Sequence, residues 1–178
     1  MENSFVIGVD IGGTNTVYGF IDNLGKIIEY NQIPTNGNLP ASDLIKRLEI
    51  YFKKFIKANP GYVLEGIGIG APNGNHLTGV IENPPNLNWG NLDIQTEFKN
   101  IFPCEVNLTN DANAAALGEK KYGVAKDMDD FIMITLGTGL GSGIFSGGKL
   151  IYGHDGLAGE MGHITIDING RKCNCGKY

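Results

Sequence analysis

The sequence predicts an α/β protein, and three observations lead to this fold class. Short apolar runs alternate along the 178 residues with segments whose apolar residues recur at helical spacing. Glycine occurs 27 times, which is about twice its ordinary frequency and is typical of many tight turns or phosphate-binding loops. Hydrophobic residues make up 42% of the chain, which excludes a disordered polypeptide.

The first third of the chain predicts a three-stranded meander followed by a helix. The three predicted strands, each bounded by turn-forming residues, are 5–9, 16–21 and 26–30. Residues 31–40 are polar, contain two prolines and are predicted to form a loop. The apolar residues of 42–57 recur at helical spacing, and a helix over that range ends at Asn59-Pro60-Gly61.

The middle of the chain alternates strands with helices. Strands are predicted at 64–69 and 105–109, and helices are predicted at 92–102 and 112–122. A polar loop with two adjacent prolines, residues 82–91, precedes the first of these helices. This alternation is the main basis of the α/β prediction.

Residues 131–151 repeat the layout of residues 5–28. Each segment is predicted as strand, Gly/Thr turn, strand, Gly-Lys turn and strand, and the first Phe precedes the turn Lys by 21 residues in one copy and 18 in the other. An internal repeat of this kind predicts two related half-domains. Two glycine-threonine hairpins that face each other across a cleft could hold one polyphosphate from both sides.

Charge and composition argue against several classes of partner. The chain has 14 basic and 19 acidic residues and no cluster of Lys or Arg, so a nucleic-acid partner is not expected. No apolar run approaches the roughly 18 residues of a membrane span, and residues 1–4 lack the pattern of a signal peptide. Three cysteines are a poor disulfide framework. The sequence therefore predicts a cytoplasmic protein without a membrane partner.

The segment Asp10-Ile11-Gly12-Gly13-Thr14 has the residue types of a phosphate loop. Glycines let backbone N–H groups converge on an anion, the threonine hydroxyl can add a hydrogen bond, and Asp10 can hold hydrated Mg²⁺. Taken alone, the segment is equally consistent with a tight hairpin. The second turn, Gly137-Thr138-Gly139, favours the phosphate interpretation. Neither turn has the Walker A lysine or the spaced G-x-G-x-x-G fingerprint.

Asn110 and Asp111 lie where a predicted strand ends and a helix begins. One interpretation is a helix N-cap that complements the helix dipole. The other is catalytic, because α/β proteins present catalytic groups outside the carboxyl ends of their strands. A carboxylate there can accept a proton from a hydroxyl that attacks phosphorus. The two residues by themselves leave both interpretations open.

His163, Cys173 and Cys175 form a candidate zinc site near the end of the chain. An imidazole and two thiolates are ligands that Zn²⁺ prefers. A structural zinc needs four protein ligands, and only three are present here. Cys104 follows Pro103 at a predicted strand start and is better explained as a buried apolar thiol. The alternative is that the two terminal cysteines have no metal.

Six motifs, in order, resemble those of the ROK family, which groups repressors, open reading frames and sugar kinases. The motifs are Asp10-x-Gly-Gly-Thr14, Gly68-x-Gly70-x-Pro72, Asn110-Asp111-Ala112-Asn113, Gly137-Thr138-Gly139-x-Gly141, Gly159-Glu-x-Gly-His163 and Cys173-x-Cys175-Gly176. Each is weak alone, but six in order over nearly the whole chain are specific. The resemblance implies the actin-like ATPase fold, in which two ribonuclease H-like domains surround a nucleotide cleft. It also implies ATP-dependent phosphorylation of a hexose, glucose above others, at its 6-hydroxyl.

The resemblance further implies roles for individual residues. The phosphates of ATP and its Mg²⁺ would be held by Asp10, Gly12, Gly13, Thr14, Thr138 and Gly139. The general base that deprotonates the 6-hydroxyl would be Asp111. The sugar would be bound by Asn110, Glu160 and His163, with Asn73, Gly74 and Asn86 in loops that line its site. A structural Zn²⁺ that orients His163 would have three of its ligands in His163, Cys173 and Cys175.

The chain departs from the family pattern at its end. That pattern continues after Cys175-Gly176 with a third cysteine and a sugar-binding glutamate, whereas this chain ends at Tyr178. The resemblance therefore implies a complete first domain at 1–118 and only the start of a second at 119–178. This chain alone is expected to lack parts of the enzyme, and the full-length form is expected to be a homo-oligomer.

Two alternatives to a kinase remain, a sugar-binding protein without catalysis and the sugar-sensing part of a ROK-type transcriptional regulator. Regulators of the family carry a helix-turn-helix ahead of the first phosphate loop. Asp10 lies only nine residues from the start of this chain, which leaves no room for that motif and disfavours the regulator.

Overall fold

The computed structural model describes residues 3–137, 139–173 and 175–178. The chain forms two compact units, Met1–Asp111 and Ala112–Tyr178. The family resemblance implied a first domain at 1–118 and the start of a second at 119–178, and that division stays a prediction.

The first unit alternates strands and helices as predicted for an α/β protein. Its elements, in chain order, are β1 (Asn3–Ile11), β2 (Asn15–Asp22), β3 (Ile27–Pro34), α1 (Ala41–Ala58), β4 (Tyr62–Ala71), β5 (Gly74–Asn75), β6 (Val80–Ile81), α2 (Ile94–Ile101) and β7 (Glu105–Asn110). The predicted strands and helices are all present, and most of their ends differ from the predictions by one to four residues. The short hairpin of β5 and β6 was not predicted, because two residues per strand are too few for a periodic pattern.

A five-stranded sheet in the order β3-β2-β1-β4-β7 organises the first unit. The β1, β2 and β3 strands pair antiparallel as the predicted meander, whereas β1, β4 and β7 run parallel. The parallel arrangement brings the carboxyl ends of β1, β4 and β7 to one edge of the sheet. Asp10 and Asn110 lie at that edge, where α/β proteins bind ligands.

One sequence prediction in the first unit is wrong. Residues 31–34, assigned to a loop because they are polar, continue β3, and Asn31 pairs with Tyr18. The β3 strand lies at the edge of the sheet, where polar side chains can remain in water and a terminal proline is tolerated. Polarity was therefore a misleading signal at this position.

The hydrophobic core of the first unit lies between the sheet and the two helices. The buried face of α1 contributes Ala41, Leu44, Ile45, Leu48, Phe52 and Phe55, and α2 contributes Ile94 and Phe98. Aromatic rings dominate the centre, where Phe20 of β2 stacks on Phe55 with ring centroids 3.7 Å apart. The helical spacing of the apolar residues in α1 therefore reflects one continuous contact with the sheet.

The second unit repeats the antiparallel meander. Its elements are α3 (Asp111–Tyr122), which begins at the last residue of the first unit, then β8 (Phe131–Leu136), β9 (Leu140–Ser146), β10 (Lys149–Leu150) and a 3₁₀ helix (Met161–His163). The strand order is β10-β9-β8. As between β1 and β2, three residues connect β8 to β9. The predicted internal repeat of strand layout is confirmed.

The meander of the second unit packs closely on α3. A Cβ atom added to Gly143 of β9 would lie 2.6 Å from the Cβ of Ala116, so only glycine allows this approach. The alanine-rich face of α3 and the glycines of β9 are thus complementary. None of the helices formed by the described residues combines the length and the hydropathy that crossing a membrane requires.

Candidate active site

The two candidate carboxylates of the first unit lie at the same edge of its sheet. Asp10 of β1 is in register with Gly70 of β4, and Gly70 is in register with Thr109 of β7. Asp111 follows two residues after Thr109, as the first residue of α3. Because β4 lies between the other two strands, β1 and β7 are about 10 Å apart, which is two strand spacings.

The two carboxylates interact electrostatically. Partial burial of its carboxylate raises the pKa of Asp10 above its ordinary value, although the residue as a whole is exposed, and the negative charge of Asp111 raises it further. Holding two like charges at one edge of a sheet is unfavourable unless a cation or a proton offsets them. Such an arrangement is common at functional sites.

Asp10→Asn is expected to raise the free energy of unfolding at neutral pH. Below the ordinary Asp pKa of 3.8, Asp10 is protonated in both states and contributes nothing. As the pH rises above that value the unfolded chain ionises first, so the folded parent loses stability until the pH passes the raised pKa of the folded state. The increase in the free energy of unfolding caused by Asp10→Asn should therefore be absent in acid and reach its full value near pH 7.

Urea unfolding of the parent and of Asp10→Asn across a pH series measures this difference. Asp127→Asn, at an exposed position, controls for the loss of one negative charge. An Asp10→Asn protein that is less stable than the parent at neutral pH would contradict the expectation.

The Gly12-Gly13-Thr14 turn has two amides available to a ligand. The Gly12 N–H donates to the Asn15 carbonyl at 3.0 Å, which closes the hairpin. The amides of Gly13 and Thr14 make no hydrogen bond to the part of the chain that the structure describes, and both residues are exposed. Exposed backbone N–H groups in a glycine-rich turn are suitable donors for an anion.

The loop that contains Asn86 lies beside this turn. A Cβ added to Gly13 would lie 3.5 Å from the Asn86 Cβ. Asn86 has a positive φ of 64°, which asparagine tolerates better than most residues. The next residues fasten the loop, because the Asn88 N–H donates to the Gly37 carbonyl at 2.8 Å and Trp89 Nε1 donates to the Leu39 carbonyl at 3.0 Å.

Asn73 lies between β4 and the β5–β6 hairpin, and Gly74 is the first residue of β5, near the end of β7. Asn73 Nδ2 donates to the carbonyls of Glu82 and Asn83 at 3.0 and 3.3 Å, so the amide nitrogen holds the hairpin. A sugar contact by Asn73 would therefore use its oxygen. A Cβ on Gly74 would lie 2.5 Å from the Thr109 carbonyl oxygen, which explains glycine at this position.

The second unit brings His163, Cys173 and Cys175 together. Their potential ligand atoms all lie within 4.8 Å of one another. His163 Nδ1 is 3.7 Å from Cys173 Sγ, whereas His163 Nε2 is 3.9 Å from a carboxylate oxygen of Glu160. The two ring nitrogens therefore face different groups, so one can bind a metal while the other contacts Glu160 or a ligand.

Cys175 has the electrostatic surroundings of a metal-binding thiol. Hydrogen bonds from the Lys177 backbone N–H and the Cys173 thiol, together with the nearby His163, lower the pKa of Cys175 to about 7. A lowered pKa increases the fraction of thiolate, which is the form that binds metals. A cavity of about 310 Å³ adjoins the cluster and is lined by His163 and Cys173, among other residues.

The structure thus groups the predicted site residues into two sets. The residues grouped in the first unit are Asp10, Gly12, Gly13, Thr14, Asn73, Gly74, Asn86, Asn110 and Asp111. The residues of the second unit are Gly139, Glu160, His163, Cys173 and Cys175. Thr138 lies outside the described residues.

Sequence reasoning missed Thr35, which contacts the glycine turn, and Thr16, which contacts Thr35. The Thr35 N–H donates to the Thr14 carbonyl at 2.8 Å, and the Thr35 hydroxyl donates to the Gly12 carbonyl at 2.7 Å. Thr16 and Thr35 are 19 residues apart in the chain, and the pairing of β2 with β3 brings their hydroxyl groups within 2.9 Å of each other. No local pattern signals such a contact.

Known proteins resemble the chain in both sequence and structure. It is 36% identical to a glucokinase of Halalkalibacterium halodurans over 183 residues, covering 99% of this chain and 55% of that protein. It is 34% identical to the xylose repressor of Bacillus subtilis over 175 residues, covering 97% of this chain and 45% of the repressor.

A solved structure of a ROK family glucokinase from Streptomyces griseus in complex with glucose and AMPPNP is also similar. Its TM-score is 0.79 at 35% identity, over 97% of this chain and 54% of that one. The chain spans about half the length of the curated relatives it matches. The ROK family model matches residues 6–178.

Proposed function

The chain belongs to the ROK family, and on this premise we propose that it phosphorylates the 6-hydroxyl of a hexose with ATP, glucose above other sugars. The fold it shares with the solved ROK sugar kinases is the actin-like ATPase fold. One observation carries the proposal. Two interacting carboxylates, Asp10 and Asp111, lie at the sheet edge beside a glycine turn with exposed amides.

Asp111 is the proposed general base. The residue is exposed at the N-terminus of α3, where the helix dipole favours a negatively charged side chain. An ionised carboxylate at this position can accept the proton of the sugar hydroxyl as the oxygen attacks the γ-phosphorus. The remaining requirement of phosphoryl transfer is the positioning and neutralisation of charge.

The residues of the proposed nucleotide site fit ATP and Mg²⁺. The exposed amides of Gly13 and Thr14 can donate to phosphate oxygens, and the carboxylate of Asp10 is an oxygen ligand of the kind Mg²⁺ prefers. Mg²⁺, when bound, supplies positive charge that offsets the phosphates. Thr138 and Gly139 are proposed as a second phosphate-binding turn.

The sugar ligands are proposed from the family motifs. In the first unit, Asn110 is the last residue of β7, directly before the base, Gly74 begins β5, and Asn73 and Asn86 lie in loops. Glu160 and His163 are 46% and 48% exposed in their side chains and remain accessible to a ligand. Carboxylate, amide and imidazole groups are suitable partners for sugar hydroxyls.

Zn²⁺ is the metal that the second unit fits. His163, Cys173 and Cys175 supply one imidazole and two thiols, and their potential ligand atoms lie within 4.8 Å of one another. Zinc, when bound, supplies a structural restraint at this point. Binding through Nδ1 would fix the ring of His163 and leave Nε2 facing Glu160.

The zinc assignment predicts that the full-length form binds Zn²⁺ and that Cys175→Ser weakens this binding. The thiol with the lowered pKa is removed by this change, which leaves the site one ligand short of the four that a structural zinc needs. Titration with Zn²⁺ against a chromophoric chelator measures the affinity. Cys104→Ser, at the half-buried cysteine of the first unit, is the matched control. Equal zinc affinity in the parent and Cys175→Ser would contradict the assignment.

A second candidate function is sugar sensing without catalysis. The observation that favours it is the 34% identity to a xylose repressor, which covers nearly the whole chain. Regulators and kinases of one family can share a sugar site, so the motifs by themselves do not separate them. The cytoplasmic location and the homo-oligomeric state of the full-length form are further proposals that rest on the family alone.

The kinase proposal is tested by ADP formation from Mg·ATP with and without glucose, for this chain and for the product of its complete gene. Glucose-dependent ADP and glucose 6-phosphate support the kinase. Calorimetric binding of glucose or xylose without turnover in either protein supports the sensor. Absence of both sugar binding and turnover would contradict both functions.

A further inference from the structure

Thr35, directly after β3, holds the carbonyl groups of the glycine turn. Its N–H donates to the Thr14 carbonyl and its hydroxyl donates to the Gly12 carbonyl. Thr35 is only 1% exposed and Thr16 is fully buried. Two hydrogen bonds from one buried residue therefore fix both ends of the three-residue turn.

The hydroxyl groups of Thr16 and Thr35 form a directional relay. A threonine hydroxyl has one proton to donate, and the proton of Thr35 goes to the Gly12 carbonyl, which can only accept. In the 2.9 Å contact between the two hydroxyls, Thr16 must therefore be the donor. The relay runs from Thr16 to Thr35 and ends at Gly12.

The relay determines the direction of the Gly13 amide. In a planar trans peptide the C=O of one residue and the N–H of the next point in opposite directions. Because the Gly12 carbonyl points toward the buried hydroxyl of Thr35, the Gly13 N–H points away from it. Gly13 is exposed, so its amide is directed to the outer side of the turn.

Arg47 of α1 fixes Thr35 from the other side. Its guanidinium donates to the carbonyls of Pro34 and Thr35 at 2.7 and 3.2 Å. Arg47 Nε also donates to Asp43 at 2.9 Å, which holds the guanidinium in place. The backbone of Thr35 is therefore restrained by a helix of the core, and the glycine turn is restrained through Thr35.

We infer that Thr35, oriented by Thr16, is a positioning residue that aims the amide of Gly13 at a phosphate group. The inference rests on the proposed function, in which this turn binds the phosphates of ATP. Thr35 itself touches neither nucleotide nor sugar. Thr35 holds the Gly13 N–H in the direction that phosphate binding requires. Binding therefore does not have to restrict the orientation of this amide.

The experiment compares Thr35→Val with Thr35→Ser. Valine has nearly the shape of threonine without its hydroxyl, whereas serine keeps the hydroxyl. The dissociation constant of Mg·ATP is expected to rise about tenfold in Thr35→Val, the effect of one lost hydrogen bond to an oriented group, and to stay within about twofold of the parent in Thr35→Ser. Glucose affinity should be unchanged in both.

A second measurement follows the turn without nucleotide. The ¹⁵N order parameter of the Gly13 amide should fall in Thr35→Val from about 0.85, the value of rigid backbone, toward about 0.6. Thr109→Val is the matched control, because the buried hydroxyl of Thr109 has no partner in the described structure. If Thr35→Val fails to fold, Thr16→Val removes the first donor of the relay and should change both quantities in the same direction.

The outcomes separate this inference from the proposed function. Unchanged ATP affinity and an unchanged order parameter in Thr35→Val would overturn the positioning role. Equal losses in Thr35→Val and Thr109→Val would also overturn it, because they would show general destabilisation. A parent protein that binds no Mg·ATP, combined with a lowered order parameter in Thr35→Val, would contradict the proposed function while supporting the anchoring of the turn.

Discussion

Asp111→Asn is expected to lower kcat for hexose phosphorylation by about 10²–10⁴-fold, the contribution of a positioned general base. Asparagine has the size of aspartate but cannot accept the proton of the sugar hydroxyl. It is also a favourable residue at a helix N-terminus, so α3 should remain folded. The KM for ATP should change little, because Asp111 is not assigned to the phosphates.

Steady-state kinetics with glucose and Mg·ATP measure this effect in whichever form of the protein is active. Asp93→Asn is the matched control, because Asp93 caps the N-terminus of α2 by accepting a hydrogen bond from the Thr96 N–H at 3.0 Å. The control exchanges the same residue types at another helix start and should retain parental kcat. An Asp111→Asn protein with parental kcat would eliminate Asp111 as the base.

Phe52→Ala is expected to lower the free energy of unfolding by about 3–5 kcal/mol, the usual cost of removing a buried phenylalanine side chain. Phe52 of α1 is fully buried. Its ring lies 5.4 Å from that of Tyr18 and 5.8 Å from that of Phe102, measured between centroids. The cavity left by alanine would thus be surrounded by rigid rings that cannot easily fill it.

Urea unfolding, monitored by circular dichroism, measures the loss. Ile50→Ala, on the same helix but 65% exposed, controls for the change in α1 itself and should remain within about 0.5 kcal/mol of the parent. Similar losses in the two variants would show that the aromatic cluster does not determine the stability of the first unit.

The sequence was a good predictor wherever the signal was local. The apolar spacing of α1 predicted its limits to within one residue, since one face of that helix contacts the sheet throughout. The Gly/Thr turns predicted both hairpins. Residues 31–34 were misassigned because their strand character comes from pairing with β2. The amide of Asn73 and the hydroxyl of Thr35 also depend on partners distant in the chain.

The glycines show the same difference between local sequence signals and contacts made in the tertiary structure. The sequence associated its excess with turns, and the turns at Gly12 and Gly137 agree with that interpretation. The structure places other glycines inside strands, where Gly8 is in register with Gly19 on one side and Gly68 on the other. Because register depends on which strands pair, composition could not show that these three glycines lie side by side in the sheet.

By itself, the sequence determined the α/β class, the repeated meander, the order of the motifs and the residue types of the candidate site. These features are visible in the sequence because they depend on residues that are close together in the chain and on the chemistry of their side chains. Only the tertiary structure decided that β4 lies between β1 and β7. This order places Asp111 close enough to Asp10 for its negative charge to raise the pKa of Asp10. The tertiary structure also decided that Thr35 meets the glycine turn. Both follow from strand pairing between distant segments, which local sequence patterns do not encode.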